Sequence, residues 1–526
     1  MKKILATILA LVLALGLTAT VWAEGDGTAS GSMTGADFLA KAKDGVITLT
    51  GDVTLTSTWY ISDGKTYTLN LNEHTLSGGS PVIQLMHGKL IINGVGTVKE
   101  STPYFGAVLI KGSKNESDEN YSVLEVNSNV TLEGWSAIFV DQNAAKAYGV
   151  SVTVNGAVLK GVNDTAEEVG NGLYVNGSIT HTENAPEISL KNTTITATGE
   201  GMYLAGYATT TLTNCNITGM TGVEIRAGKL TVSGGAITGT ATPVTVTPNG
   251  NGSTTAGAGV ALAQHTTKLP VIVTIENATV KGYTGVYESN PQTNDSASIA
   301  KVNLTISGGN FEAINNGTNA VYSEDCTNFI SGGTFTSAVD TTYLADIVNY
   351  SVSNGTNGNV SYFTNLNDAV AAAGADDEVK NLKETSAHAG STVTLKDGDA
   401  VITMLHTEAT TVNLPTLSKS GYTFKGWKDE DGKVYNGKLT ISEENDGELV
   451  VREAVTLTAV WSAIWDIEFS TEAYMTISTL AGFNKNADSV CKHNLSSILY
   501  LNYVNCLELT FTNQEKSSKS EDLELK

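Results

Sequence analysis

LKNTTI at 190–195, LTNCNI at 212–217 and VSGGAI at 232–237 repeat one phrase: an aliphatic residue, Asn or Gly one or two positions on, and a second apolar residue five positions after the first. The same phrase runs from about residue 67 to 336. Leu71-Asn72 leads to Leu76, Val154-Asn155-Gly156 to Leu159, Ile275-Glu276-Asn277 to Val280, Ile306-Ser307-Gly308 to Phe311, and Ile330-Ser331-Gly332 to Phe335. Looser copies start at Ile92 and Val126. Anchors at 190 and 212 lie 22 residues apart, those at 212 and 232 lie 20 apart, and the step from 232 to 275 stretches to 43. A minimum near twenty with additive insertions is what one coil of a parallel β-helix requires, three short strands and three turns. Roughly ten coils stacked at ~4.8 Å predict a rod about 45 Å long.

A second phrase sets the phase. About ten residues after several anchors comes a small residue and an alternating strand: Ala137-Ile138-Phe139-Val140, Gly172-Leu173-Tyr174-Val175, Gly201-Met202-Tyr203-Leu204, Gly222-Val223-Glu224-Ile225, Gly285-Val286-Tyr287 and Ala320-Val321-Tyr322. Alternation puts Ile138, Leu173, Met202, Val223, Val286 and Val321 inside and the next residue of each outside. Asn or Gly between the two inner positions of the first phrase supplies the left-handed backbone of a tight corner. A β-sandwich, the competing fold, needs turn signals every 8–12 residues instead.

Outward residues of that phase form a column: Phe139, Tyr174, Tyr203, Tyr287 and Tyr322, interrupted by Glu224 and Ala261. Such a strip is suited to stacking on sugar rings. The other reading is that the ladder stabilises the stack itself or lies under inserted loops, of which 241–258 is the largest.

Composition agrees with a turn-rich exported chain. Of 526 residues 53 are Gly, and the net charge is -23 with two arginines, Arg226 and Arg452. So acidic a surface repels phosphate backbones and anionic headgroups, which argues against nucleic acid and against peripheral membrane binding. Lys2-Lys3, the apolar run from Ile4 to Thr18 and Val21-Trp22-Ala23 read as a secretory signal over 1–23, cleaved after Ala23, leaving no membrane insertion afterwards. Cys491 and Cys506 are the pair close enough in sequence for a disulfide outside the cell, whereas Cys215 and Cys326 read as small buried residues.

ADFLAKAKDGVITL at 36–49, GDVTL at 51–55 and LNLNEHTLSG at 69–78 resemble the opening of pectin-lyase-fold proteins of the adhesin-like secreted branch, and ISGGNF at 306 and ISGGTF at 330 are similar to their closing coils. The resemblance covers about 300 residues and implies an all-β, right-handed parallel β-helix over 31–360; it speaks to fold and little to activity, since lyases, hydrolases, spikes and adhesins share the architecture. Residues 36–43 are expected to form a short helix that caps the open end of the stack.

Beyond a polar break at 351–363, residues 361–405 read as a connector with a short helix from Leu366 to Ala375 and strands from Thr392 to Met404. GYTFKGW at 421–427, Asp431-Gly432-Lys433-Val434-Tyr435 and VTLTAVW at 455–461 closely resemble the Listeria–Bacteroides repeat of internalin-type surface proteins, which implies a β-grasp-like module over 406–462. Tyr422, Phe424, Trp427 and Trp461 are expected to be its core. The tail, 463–526, carries no recognisable sorting motif.

Catalysis finds little support in the residues. A β-eliminating lyase needs Arg or Lys beside acidic ligands of Ca²⁺, and a hydrolase needs paired carboxylates. Arg226 reads as a surface ion pair or solvated residue near Glu224. Glu116-Asp118-Glu119 and Glu167-Glu168 fall in inserted loops, with Ca²⁺ binding there the lesser reading, and Asp376-Asp377 lies beyond the coils. His74, His87, His181 and His265 are dispersed, without a catalytic motif. The expectation is a non-enzymatic secreted or cell-surface bacterial protein that binds or displays extracellular glycan or surface-protein ligands, without a cofactor. A polysaccharide lyase or glycoside hydrolase is the alternative.

Overall fold

A computed structural model describes residues 25–464 except 103–104, 142–145, 163–169, 249–252, 265, 290–300 and 447. The signal segment 1–23, the tail from 465 onward with Cys491 and Cys506, His265 and Glu167-Glu168 lie outside the described residues. The described chain is all-β apart from two short α-helices and one 3₁₀ turn.

Parallel strands stack in three columns. One column passes through Thr66–Asn70, Gly88–Asn93, Ser122–Val126, Val150–Asn155 and Glu187–Lys191 and ends at Val302–Ile306. A second carries the apolar residue that closes each anchor phrase, with Leu132 beside Leu159, Leu159 beside Ile195, and Ile195 beside Ile217. The third is a ten-stranded sheet from Trp59–Ile61 to Val321–Ser323. Each coil gives one strand to this sheet, so the roughly ten coils expected are present, and the twenty-residue minimum is one circuit of the three columns.

The corners follow the side-chain chemistry. Asn72, Asn192, Asn214 and Asn277 have φ between 49° and 52°, and Gly156 and Gly234 have φ of 71° and 70°. The Asn side chain tolerates this left-handed conformation because its carboxamide bonds locally. In the ISGG copies the left-handed residue is instead the second glycine, Gly309 and Gly333. Inside the circuit Ile138, Leu173, Met202, Val223, Val286 and Val321 are all buried, as alternation requires. Each buried aliphatic is worth about 1.5–3 kcal/mol, set against the entropy of ordering its coil.

Helix α1, Gly35–Ala40, starts where the Thr34 hydroxyl accepts from the Asp37 amide. It buries Phe38 edge-on against Trp59 at 5.0 Å, covering the first strand of the third column. At the other end Phe311 stacks on Phe335 at 4.9 Å, and the next partner, Val360–Phe363, runs antiparallel to Gly333–Phe335, so parallel stacking stops there. Helix α2, Leu366–Ala372, and the strands Glu378–Asn381, Ser391–Asp397 and Ala400–Thr407 follow, the last two as an antiparallel pair. The helix lies within the expected 366–375 and the last two strands cover the expected 392–404, whereas Glu378–Asn381 was not anticipated.

The described residues divide into two compact units, 25–416 with 426–459 and 417–425 with 460–464. In the described part of the second, Tyr422 and Phe424 set ring edges against Trp461 at 6.4 and 5.3 Å, and the Lys419 ammonium lies 5.4 Å from the Tyr422 and Trp461 rings. Tyr422 is 43% exposed. Trp427 belongs to the first unit, is wholly buried, and its indole N–H donates to the Pro415 carbonyl at 2.7 Å. All four aromatics were expected to be core, whereas Trp427 is and Tyr422 is not. Strand alternation accounts for this: Tyr422 and Phe424 share one face, and Trp427 has the opposite parity.

Candidate functional site

The outward column is real in register. Phe139 pairs with Tyr174, Tyr174 with Tyr203, Tyr203 with Glu224, Glu224 with Ala261, Ala261 with Tyr287, and Tyr287 with Tyr322. Tyr60, Gln84 and Leu109 extend it below Phe139. All five aromatics named from sequence share one line, and the interruptions fall where expected.

Its two halves differ in access. Phe139 and Tyr203 are each 6% exposed. Phe139 sits among Phe105, Trp135 and Tyr174, with centroids at 6.1, 6.0 and 4.7 Å, and Tyr174 tilts against Tyr203 at 5.2 Å. These three rings are packing. Tyr287 and Tyr322 instead stack 5.1 Å apart at 18°, with Tyr287 half-buried and Tyr322 37% exposed.

Between the halves is a buried polar cluster. Glu224 is 0% exposed and Arg226 1%, which overturns the expectation of a solvated Arg226. The Arg226 guanidinium donates through Nη1 to the Tyr203 phenol oxygen, with its carbon 5.8 Å from the ring centroid. Glu224 Oε2 accepts the Thr255 amide at 2.8 Å. Thr255 belongs to the antiparallel hairpin Thr245–Pro248 and Ser253–Ala256, inserted ahead of the Ala258–Leu262 strand. Burial, with the charge of Glu200 adding to it, holds the Glu224 carboxyl well above the usual range, while the Thr255 amide and Arg226 oppose the shift. Burial likewise raises Tyr203.

A second buried carboxylate was not singled out from sequence. Glu288 continues the inward line Val140, Val175, Leu204, Ile225, Leu262 and is followed by Ser323. Its Oε2 accepts from the Ser323 hydroxyl at 2.7 Å, the Glu324 amide at 3.0 Å and the Asp325 amide at 2.9 Å, which pins the turn after the last strand of the column. Burial raises its carboxyl. The signal was available: Glu288 stands two positions after Val286 and so shares its inward parity.

The remaining candidates are dispersed. Asp118 accepts from the Ser113 hydroxyl and the Asn115 carboxamide and shapes its own loop. Asp377 is buried and accepts the Gly355 and Gly374 amides. Cys215 and Cys326 are buried free thiols, as expected. His181 is bonded at both ring nitrogens, to the Ala147 amide and the Glu183 carbonyl, and His74 stands 3.8 Å from Asp52. Among the described residues no three His, Cys, Asp or Glu side chains gather as metal ligands. Comparison with protein-family models, with curated proteins and with solved structures gives no match for this chain.

Proposed function

We propose that this chain is a secreted or cell-surface protein of the pectin-lyase-fold kind that binds extracellular glycans without cleaving them, and that the open Tyr287–Tyr322 end of the outward column is its contact surface. The observation that carries the reading is the contrast along one register-locked line: Phe139 and Tyr203 are covered, whereas Tyr322, stacked on a half-buried Tyr287, is 37% exposed. Aromatic faces suit the CH faces of pyranose rings, and the hydroxyls add hydrogen bonds. The net charge of -23 disfavours anionic polysaccharides, which makes a neutral glycan the matching class. The export signal read over 1–23 and the Listeria–Bacteroides-like sequence over 406–462 support an extracellular setting.

The burial of two carboxylates near the column supports the non-catalytic reading. Glu224 and Glu288 are both inaccessible and occupied by backbone amides, while Glu324 beside Tyr322 is exposed, so cleavage has to be tested directly. A general acid must reach the leaving oxygen, and neither does. Screening the purified full chain on an array of neutral and acidic glycans tests the reading. Binding to neutral glycans that falls about fivefold in Tyr322→Ala, the equivalent of ~1 kcal/mol, is the expected result. Release of oligosaccharide products from any of them overturns it in favour of a lyase or hydrolase.

A further inference from the structure

At the end of the parallel stack two successive corners are built without side chains. Gly308 and Gly309 stand in register with Asn277 and Ala278 of the coil before, and Gly332 and Gly333 follow in the next coil. Val360–Phe363 then runs antiparallel to Gly333–Phe335 and sets Ser361 beside Thr334. Between these elements lies an open groove of about 340 Å³, within the range of small-molecule sites. Its floor is glycine backbone. Its sides carry the carboxamides of Asn277 and Asn310, the hydroxyls of Thr334 and Ser361, which bond each other at 2.8 Å, and the half-buried ring of Phe363. Phe363 shares the outward parity of Ser361, so ring and hydroxyl lie on one face of their strand.

Backbone geometry demands some of these glycines and not others. Gly309 and Gly333 sit at φ 111°, and a Cβ on Gly332 would lie 2.7 Å from the Ser307 carbonyl oxygen. Gly308 has no such φ, and a Cβ there crowds only Asn277 Oδ1, at 2.9 Å, the tip of a flexible side chain. The fold accepts a side chain at 308; glycine there keeps the groove open beside the Asn277 carboxamide.

We propose that this groove is a binding site for a short neutral saccharide, separate from the Tyr287–Tyr322 surface and not dependent on it. Among the described residues that line it none is charged, in a chain of net charge -23. Two positions along the same strands, Lys281 and Glu312 are paired with each other at 2.9 Å. An anionic ligand finds no cation there and a cationic one no carboxylate. Carboxamides and hydroxyls both donate and accept, as sugar hydroxyls do, and the Phe363 ring suits a pyranose CH face.

The test is calorimetric titration of the full chain carrying Tyr322→Ala, so that the open end of the aromatic column is disabled. The probes are cellobiose, maltose, lactose and N,N′-diacetylchitobiose, with digalacturonate as the anionic counterpart. At least one neutral disaccharide is expected to bind, more tightly than digalacturonate. Adding Asn310→Ala, at an exposed side chain, is expected to weaken it about fivefold, and adding Gly308→Ala, which displaces the Asn277 carboxamide, about threefold. Thr305→Ala, exposed on a neighbouring strand, is expected to leave it unchanged. No neutral disaccharide bound, digalacturonate bound as tightly, or affinity indifferent to both groove substitutions overturns the site. Failure of the Tyr287–Tyr322 surface reads differently: Tyr322→Ala alone then leaves glycan binding by the wild type undiminished.

Discussion

Arg226 donates to the phenol oxygen of Tyr203 in the preceding coil, and both side chains are buried, the arginine wholly so. A guanidinium in such a place is tolerated because a phenol, the ring face beneath it and the nearby carboxylates of Glu200 and Glu224 compensate its lost hydration. The pair ties two coils together at the point where the aromatic column gives way to polar residues.

Removing only the phenol oxygen isolates that tie. Tyr203→Phe keeps the ring and its packing against Tyr174 but takes away an acceptor from a buried cation. Unfolding in urea is expected to show a loss of about 1–3 kcal/mol. Tyr287→Phe, at a half-buried ring of the open end, is the control and is expected to cost less than about 0.5 kcal/mol. Equal effects at the two positions contradict the assignment of Tyr203 to the buried cluster.

The corners make a coupled prediction. Asn214 sits at φ 51°, and a Cβ built on Gly234, one coil on at φ 70°, lies 2.3 Å from Asn214 Oδ1. Gly234→Ala is therefore doubly unfavourable, strained in its backbone and pressed against the carboxamide, and is expected to cost about 2–3 kcal/mol. Asn214→Gly removes the obstacle while keeping the left-handed corner. In the double variant the second substitution is expected to cost at least about 0.5 kcal/mol less than it does alone. Simple additivity in a thermal or urea cycle is the contrary result.

The circuit of three strands was legible because its signals are local and repeated. Leu190, Leu212 and Val232 announce the inward face, Asn192, Asn214 and Gly234 announce the corner, and each new coil restates the phase. The column from Phe139 to Tyr322 followed from the same phase. Accessibility did not, because it depends on what inserted segments lay over the strand. Glu224 and Arg226 look solvent-facing by alternation, yet both are buried, Glu224 bonded to Thr255 about thirty residues onward and Arg226 to Tyr203. Glu288 failed in the opposite sense: parity put it inside, but a carboxylate there is improbable until the Ser323, Glu324 and Asp325 donors are in view. The aromatics of 421–461 show a third limit, since Trp427 and Tyr422 are five residues apart on one strand yet only the former is core.

His181 gives the chain a stability change on the acid side. Its Nε2 accepts the Ala147 amide and its Nδ1–H donates to the Glu183 carbonyl, which fixes the neutral ring, and burial lowers its affinity for a proton. Because the folded value lies below the unfolded one, the contribution is fully present above about pH 6.5 and is lost as pH falls through the folded value. Thermal unfolding between about pH 7.5 and 5 is expected to show this decline in the wild type. His181→Phe, which retains a ring against Tyr148, is expected to flatten it.

Glu224 acts with the opposite sign. Burial, together with the charge of Glu200, raises its carboxyl above the ordinary 4.5, so the folded state holds the proton more tightly than the unfolded chain does. Its contribution is full below that ordinary value and is lost as pH rises through the folded one, when a second negative charge must be accommodated beside Glu200 under the Thr245–Ala256 hairpin. Glu224→Gln keeps an oxygen for the Thr255 amide and carries no charge at any pH. The expected outcome is a variant close to wild type in acid and increasingly more stable than wild type as pH rises, read from midpoints of thermal unfolding at matched ionic strength. A difference that shrinks with rising pH contradicts the raised carboxyl, and points instead to Arg226 holding Glu224 ionised throughout.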